Sequence, residues 1–162
     1  MAVAQRLARD EPDVVSLWSS PLGRAYGTAE AVSEAIGLDI ETDDRLKEID
    51  IGEASGLTGA QVRERFPRWG QPGGLIPGQE PNDDFTKRVE AVTRDLLDRE
   101  GTIVAVSHGG FISNLCRRIV GAHPDRTRLF RVWNCSITEA TIGRGGELVL
   151  HRFNQIDHLP AE

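Results

Sequence analysis

A short apolar run that stops at a histidine places the strongest constraint on how this chain folds. Ile103 to Val106 is continuous and apolar, as in a strand covered on both faces, and Ser107-His108-Gly109-Gly110 follows at once. Apolar residues then recur at helical spacing from Phe111 to Ile119. The pattern predicts a strand, a turn and a helix, with His108 at the carboxyl end of the strand. Ligands of open α/β sheets bind at that end, and glycines at a helix start favour an anion, but a turn histidine without chemistry fits equally well.

Helix and strand patterns alternate along the chain as far as residue 120. Strand patterns occupy 13–18 and 38–40, and helix patterns occupy 2–9 and 22–36, the latter with Gly37 as its C-terminal cap. Thr58-x-x-Gln61 is a capping-box pattern that begins a short helix ending at Pro67. A further helix follows Asp83, its predicted N-cap, and ends before Gly101. This alternation predicts an α/β fold with a mainly parallel sheet and helices on both faces.

The last part of the chain has a hairpin pattern instead. Strand-like stretches at 134–141 and 148–151 flank Gly143-Arg144-Gly145-Gly146. We expect this hairpin to add antiparallel pairing at an edge of the sheet. Residues 67–82 hold four prolines and four glycines, which predicts a long loop suited to a lid or a substrate loop.

Composition narrows the possible partners. The chain has 162 residues, which favours a single domain over 1–162, and its net charge of −6 argues against a nucleic-acid partner. Its two cysteines lie far apart, which favours a reducing compartment without disulfides. We see no apolar run long enough for a membrane and no signal peptide, so we expect a cytoplasmic protein with no membrane partner.

Polar residues follow three of the predicted strands. Ser20 and Arg24 come after the first, Glu48 after the second and His108 after the later one. Since strand ends converge on one edge of a parallel sheet, these side chains could share a pocket. A guanidinium fork, an imidazole and one acid suit phosphoryl transfer. Taken singly, however, Arg24 is better explained as a surface helix residue and Glu48 as a solvated loop acid. The histidines lack metal-ligand spacing, so no metal or other cofactor is expected.

Several stretches together resemble the histidine phosphatase superfamily, which includes the phosphoglycerate mutases. Ser19-Ser20-Pro21-Leu22-Gly23-Arg24-Ala25 with Thr28-Ala29-Glu30 is similar to its S-S-P-L-x-R-A-x-x-T-A-E segment. Arg45-Leu46-Lys47-Glu48 is similar to its R-L-x-E, and Val106-Ser107-His108-Gly109-Gly110 to its V-S-H-G-G. Asn134-Cys135-Ser136-Ile137-Thr138 and the late Asn154 and His158 match its C-terminal pattern. The motifs stand in family order and cover nearly the whole chain.

The resemblance implies a three-layer, phosphoglycerate mutase-like fold and a role for each matched residue. Arg24, His108 and the Gly109 N–H would bind the phosphate, and Glu48 would be the general acid that protonates the leaving oxygen. Ser20 and Glu80 would belong to the substrate loops. Gly78-Gln79-Glu80-Pro81 stands where many members have G-E-S, and Glu80 would keep that role without the serine. No metal would be needed. The partner would be a small phosphorylated substrate or inorganic phosphate, and a homodimer is possible within the family.

The family's nucleophilic histidine has no match. It lies in an R-H-G motif after the first strand, and R-H-G occurs nowhere in this sequence. The family strand that carries it lies beside the one that ends at the second histidine, so we expect an N-terminally incomplete domain. Ala54-Ser55 replaces the family's W-E, which bears on pocket shape.

Three functions follow from the resemblance. A phosphomonoesterase acting through phosphohistidine is favoured, with a non-catalytic phospho-ligand or partner-binding relative as the alternative. A phosphoglycerate mutase is a further alternative, disfavoured because only residues 49–107 separate the acid from the second histidine. Basic side chains near the loop could contact an anionic substrate, but solvated helix faces explain them better: Arg63, Arg65, Arg68, Lys87 and Arg88.

Overall fold

The structure, a computed structural model, describes residues 1–71, 73–122 and 129–160. By their internal contacts these residues form two compact units, Met1–Glu48 with Arg88–Glu162, and Ile49–Lys87. The strands are β1 (Val14–Ser19), β2 (Ile40–Thr42), β3 (Thr102–Val106), β4 (Ile137–Ile142) and β5 (Leu148–Gln155). The helices are α1 (Ala2–Asp10), α2 (Gly23–Ile36), α3 (Gly59–Arg65), α4 (Asn82–Leu97) and α5 (Gly109–Ile119), with 3₁₀ turns at Asp44–Leu46 and Gly52–Ala54.

The first unit is built on a parallel sheet. Its strands lie in the order β2-β1-β3, and β1 pairs in parallel with both neighbours. Apolar side chains of α1, β1 and α2 form its core, supported by Val104 and Val106 of β3: Val3, Ala4, Leu7, Leu17 and Val32. The α/β class with a parallel sheet flanked by helices and a C-terminal hairpin is therefore confirmed.

The hairpin departs from the prediction in one respect. β4 and β5 pair antiparallel with each other, but among the described residues they form a separate two-stranded sheet rather than an extension of the parallel one. Within the described ranges, β3 accordingly lies at the edge of the parallel sheet and pairs with a strand on one side only. The final hairpin was predicted to pair at the sheet edge, and in the described part of the chain it does not.

The observed ends of several elements differ from the predicted ones, in two cases because a turn replaces part of a strand pattern. The second strand runs over Ile40–Thr42 rather than 38–40, because the Leu38 carbonyl accepts a bond from the Ser33 hydroxyl at the end of α2. β4 begins at Ile137, since Cys135 adopts φ 58° in the turn before it. α4 begins at Asn82, which places Asp83 in its first turn instead of at its N-cap.

The second unit has a small core of its own, formed by Ala54, Val62 and Ile76. α3 begins with the predicted capping box, in which Thr58 and Gln61 exchange side-chain and backbone bonds. Residues 50–53 lie against residues 77–80 through a bridge between Ile51 and Gln79. Within the proline- and glycine-rich stretch, the Gly74 N–H donates to the Gln71 carbonyl at 2.9 Å and the Gln79 N–H to the Ile76 carbonyl at 3.1 Å.

No helix in the described residues is both long and apolar enough to cross a membrane.

Candidate active site

His108 lies at the end of β3, immediately before α5, as its N-cap residue. It is buried, with 6% of its surface exposed, and its Nε2 is 2.8 Å from the Ser20 hydroxyl. Ser20 is fully buried just after β1, where its N–H donates to the Val106 carbonyl at 2.9 Å. Two adjacent parallel strands therefore bring a serine and a histidine into contact at their carboxyl ends.

Glu48 reaches the same turn from the loop after β2. Its Oε2 accepts a hydrogen bond of 2.9 Å from the N–H of Gly110, in the first turn of α5. A carboxylate at a helix N-terminus satisfies a backbone donor and interacts favourably with the helix dipole. Glycine at position 110 leaves room for this contact, because a Cβ there would overlap the Glu48 carboxylate as it is placed.

Arg24 lies in the first turn of α2 and is exposed. Its charge and that of Glu48 both act on His108. Burial of the ring lowers the pKa of His108 below its usual range, and the nearby Arg24 guanidinium lowers it further, whereas the Glu48 carboxylate raises it. Both charged residues matched to the family motifs, Arg24 and Glu48, therefore influence the pKa of His108.

The other two predicted site residues lie as follows. Gly109 is the first residue of α5 and is exposed. Glu80 belongs to the second unit, where its N–H donates to the Asp50 carbonyl at 2.8 Å and its Oε2 accepts from the Asp50 N–H at 3.3 Å. Its role at a substrate loop remains a prediction.

Arg88 shows that one sequence interpretation was wrong. It was assigned to a solvated helix face, but its half-buried guanidinium donates to backbone carbonyls of the loop that carries Glu48. Ser107, which carried no separate prediction, donates to the same loop at the Leu46 carbonyl. Neither contact has a local sequence signal, because each joins residues at least 40 positions apart.

Two of the other basic residues near the loop, Arg65 and Lys87, differ from Arg88 in exposure and in partners. Arg65 pairs with Glu53 at 2.8 Å and Lys87 with Asp84 at 3.1 Å, in both cases with exposed side chains. For these two residues the solvated interpretation fits.

Comparison with solved structures defines the class of the fold. The structure superimposes on mycobacterial glucosyl-3-phosphoglycerate phosphatase with a TM-score of 0.80 at 27% identity. The superposition covers 94% of this chain and 81% of the phosphatase. It also matches a phosphoserine phosphatase of Entamoeba histolytica in complex with 3-phosphoglyceric acid, with a TM-score of 0.78 at 25% identity over 98% and 81% of the two chains. The fold is that of the phosphoglycerate mutase-like α/β proteins.

The family model of the histidine phosphatase superfamily (branch 1) matches residues 1–155. This chain belongs to that superfamily. It is 40% identical over 128 residues to a bifunctional protein of Mycobacterium tuberculosis and 32% identical over 133 residues to the Probable phosphoglycerate mutase GpmB of Salmonella paratyphi B. Those matches cover 75% and 77% of this chain but only 35% and 62% of the respective relatives.

Proposed function

We propose that this chain carries the phosphate-binding and acid residues of a phosphomonoesterase that acts on a small phosphorylated metabolite. The observation that supports it is the meeting of His108 and Glu48 at the start of α5. Nε2 of His108 lies 2.8 Å from the Ser20 hydroxyl, and the Glu48 carboxylate binds the Gly110 N–H at 2.9 Å. The charge of Arg24 also acts on His108. Family membership and the phosphatases among the structural relatives agree with this chemistry. The nucleophilic histidine would come from outside these 162 residues.

The residues divide the reaction between them. Arg24 offers a planar fork of donors to two phosphate oxygens, and His108 stabilises charge on the phosphoryl group as it transfers. The ester P–O bond breaks as a P–N bond forms to the nucleophilic histidine, and the Glu48 carboxyl gives its proton to the leaving oxygen. Water then attacks the phosphohistidine and loses its proton to Glu48, which releases inorganic phosphate and restores both groups.

The open side of β3 supports an additional strand as the source of the nucleophile. His108 ends a strand that has, among the described residues, a neighbour on one side only. A histidine following a strand paired with that side would stand at the same edge of the sheet as His108. Its side chain could then reach a phosphate held by Arg24.

Phosphate binding by this chain tests the pocket. Calorimetric titration with inorganic phosphate should give measurable binding that is weakened by Arg24→Met and by His108→Ala. Arg94→Met removes an exposed arginine of α4 and should have no effect. A folded sample that binds no phosphate would contradict the proposal.

The source of the nucleophile needs a separate test. Translation in frame of the DNA upstream of the Met1 codon should give an apolar strand followed by Arg-His-Gly, and the longer product should hydrolyse phosphate esters. The 162-residue chain should hydrolyse p-nitrophenyl phosphate no faster than its His108→Ala variant. Clear His108-dependent turnover by this chain would contradict the claim about the nucleophile, and isomerisation of phosphoglycerate by the longer product would favour a mutase.

A further inference from the structure

The side chain of Arg88 holds the backbone of the loop that carries Glu48. Its Nη1 donates to the carbonyls of Arg45 and Lys47, both at 2.8 Å, and its Nη2 is 3.4 Å from the carbonyl of Glu48 itself. The guanidinium is half-buried. A planar, permanently charged fork can serve several acceptors at once without changing its rotamer.

The Leu46 carbonyl of the same loop also accepts a side-chain hydrogen bond. Ser107, the residue before His108, donates from its hydroxyl to the Leu46 carbonyl at 2.8 Å. Two side chains thus bind four consecutive carbonyls, those of residues 45–48. Lys47 and Glu48 lie outside regular secondary structure. Their carbonyls accept bonds from the Arg88 side chain in place of the backbone hydrogen bonds of a helix or strand.

Both the main chain and the side-chain carboxylate of Glu48 are therefore held by hydrogen bonds. Arg88 holds its main chain, and the Gly110 N–H binds its carboxylate at 2.9 Å. Since Gly110 is two residues from His108, the position of the carboxylate relative to that histidine depends on where the loop is held. We propose that Arg88 is a positioning residue for Glu48: it sets the location of the acid and does not itself touch the phosphate.

Lysine should not replace arginine in this role. An ammonium is a compact point charge on a flexible stem and lacks the planar fork that reaches three carbonyls. A purely electrostatic role of Arg88 would survive Arg88→Lys, whereas a positioning role should be lost in that variant almost as fully as in Arg88→Met.

Hydrogen exchange of the Gly110 amide tests this in the whole chain. Arg88→Met and Arg88→Lys should each speed exchange of the Gly110 N–H by at least about tenfold, since a bond to a charged acceptor is being loosened. The N–H of Ile112, bound to the His108 carbonyl at 3.0 Å, should keep its rate, and so should both amides in Arg94→Met. In a Glu48→Ala background, Arg88→Met should cause no further change at Gly110.

Two outcomes would overturn the inference. One is an unchanged Gly110 rate in Arg88→Met. The other is an equal acceleration at Gly110 and Ile112, which would mean general loosening of α5. Neither exchange rate depends on catalysis, so the inference and the proposed function can fail separately. Faster exchange at Gly110 in a chain that binds no phosphate, and whose longer product is inactive, would support the positioning role and contradict the proposed function.

A catalytic readout, which rests on the proposed function, distinguishes positioning from mere stability. In the longer product, Arg88→Met should slow hydrolysis of an alkyl phosphate at least about tenfold more than that of 2,4-dinitrophenyl phosphate, whose leaving group needs little protonation. An equal loss with both esters would show that Arg88 does not act through the acid.

Discussion

The Ser20 hydroxyl lies 2.8 Å from Nε2 of His108, although 88 residues separate the two in the chain. The hydroxyl oxygen also accepts from the Leu22 N–H at 3.3 Å. Its own proton can be donated to an imidazole whose Nε2 is unprotonated. The bond joins the ends of β1 and β3. It makes Ser20 a partner of the candidate catalytic histidine, beyond the substrate-loop role that its motif implied.

Removing this hydroxyl should cost stability and change the titration of His108. Ser20→Ala leaves a buried ring nitrogen without its partner, for which we expect a loss of about 1–3 kcal/mol in urea unfolding. The pKa of His108, followed by NMR, should rise because the neutral ring loses a donor. Ser16→Ala, on the same strand, removes only a 3.3 Å acceptor of the Trp18 indole and should leave the His108 titration unchanged. An unaltered His108 titration in Ser20→Ala would contradict this role.

Stability should fall as the pH drops through the range just below 6.5. Burial, chiefly, and Arg24 lower the pKa of His108 from 6.5, so between the two values the unfolded chain binds a proton that the folded chain does not. The resulting loss is complete once the pH is below the folded pKa. Thermal unfolding of His108→Asn across this range should show a flatter pH dependence than the wild type.

A matched variant on the hairpin separates this effect from general acid sensitivity. His151→Asn removes an exposed histidine of β5 and serves as the control for the loss of a histidine as such. Asp43 contributes in a different window: the Arg45 guanidinium lowers its pKa from 3.8, so its stabilisation is lost only at still lower pH. Equal slopes near pH 6 for the wild type and His108→Asn would refute the assignment to His108.

Gly110→Ala should separate stability from chemistry. The new Cβ would overlap the end of the Glu48 side chain, which can swing away, and alanine in a helix is favoured over glycine by about 0.5–1 kcal/mol. This gain is offset by the loss of the bond between the Gly110 N–H and the Glu48 carboxylate, so the free energy of unfolding should change by less than about 1 kcal/mol, while the Glu48 carboxyl resonance moves. Hydrolysis of an alkyl phosphate by the longer product should fall by about 10²-fold or more.

Gly109→Ala is the natural comparison for that variant. Its Cβ would meet only Val132, at 3.8 Å, and its N–H would be kept. Activity near the wild-type level is expected. If Gly110→Ala were as active as Gly109→Ala, the contact between Glu48 and Gly110 would have no catalytic importance.

In the second unit, Gly52→Ala should be severely destabilising. Gly52 has φ +57°, and a Cβ there would overlap backbone atoms of Pro77, Gly78 and Gln79, which cannot move as a side-chain end can. We expect a loss above about 4 kcal/mol, the range of exceptional substitutions, and rapid proteolysis within residues 49–87. Gly56 also has a left-handed backbone, with φ +79°, but a Cβ there would have no atom within 4 Å. Gly56→Ala should therefore lower the free energy of unfolding by only about 1 kcal/mol. Similar losses for both variants would argue against close packing at Gly52.

The sequence alone determined the local elements and the family. Apolar spacing located the helices because each buries one stripe, as Ala25, Ala29 and Val32 do in α2. The capping box at Thr58 and the left-handed cap at Gly37 could be predicted from the sequence, because each depends on residues only a few positions apart. The motifs around Arg24, Glu48 and His108 identified the residues that the fold then brought together.

The tertiary structure decided the contacts that join distant parts of the chain. Nothing near Arg88 in sequence indicates that its guanidinium binds the carbonyls of residues 45–48, and nothing near Ser20 indicates a bond to His108. Nor did the sequence indicate that the hairpin forms a sheet of its own in the part of the chain that the structure describes, since a strand pattern shows which face is buried and not which strand lies beside it. Local patterns encode elements through short-range bonds and periodic burial, whereas the position of Glu48 depends on packing between elements.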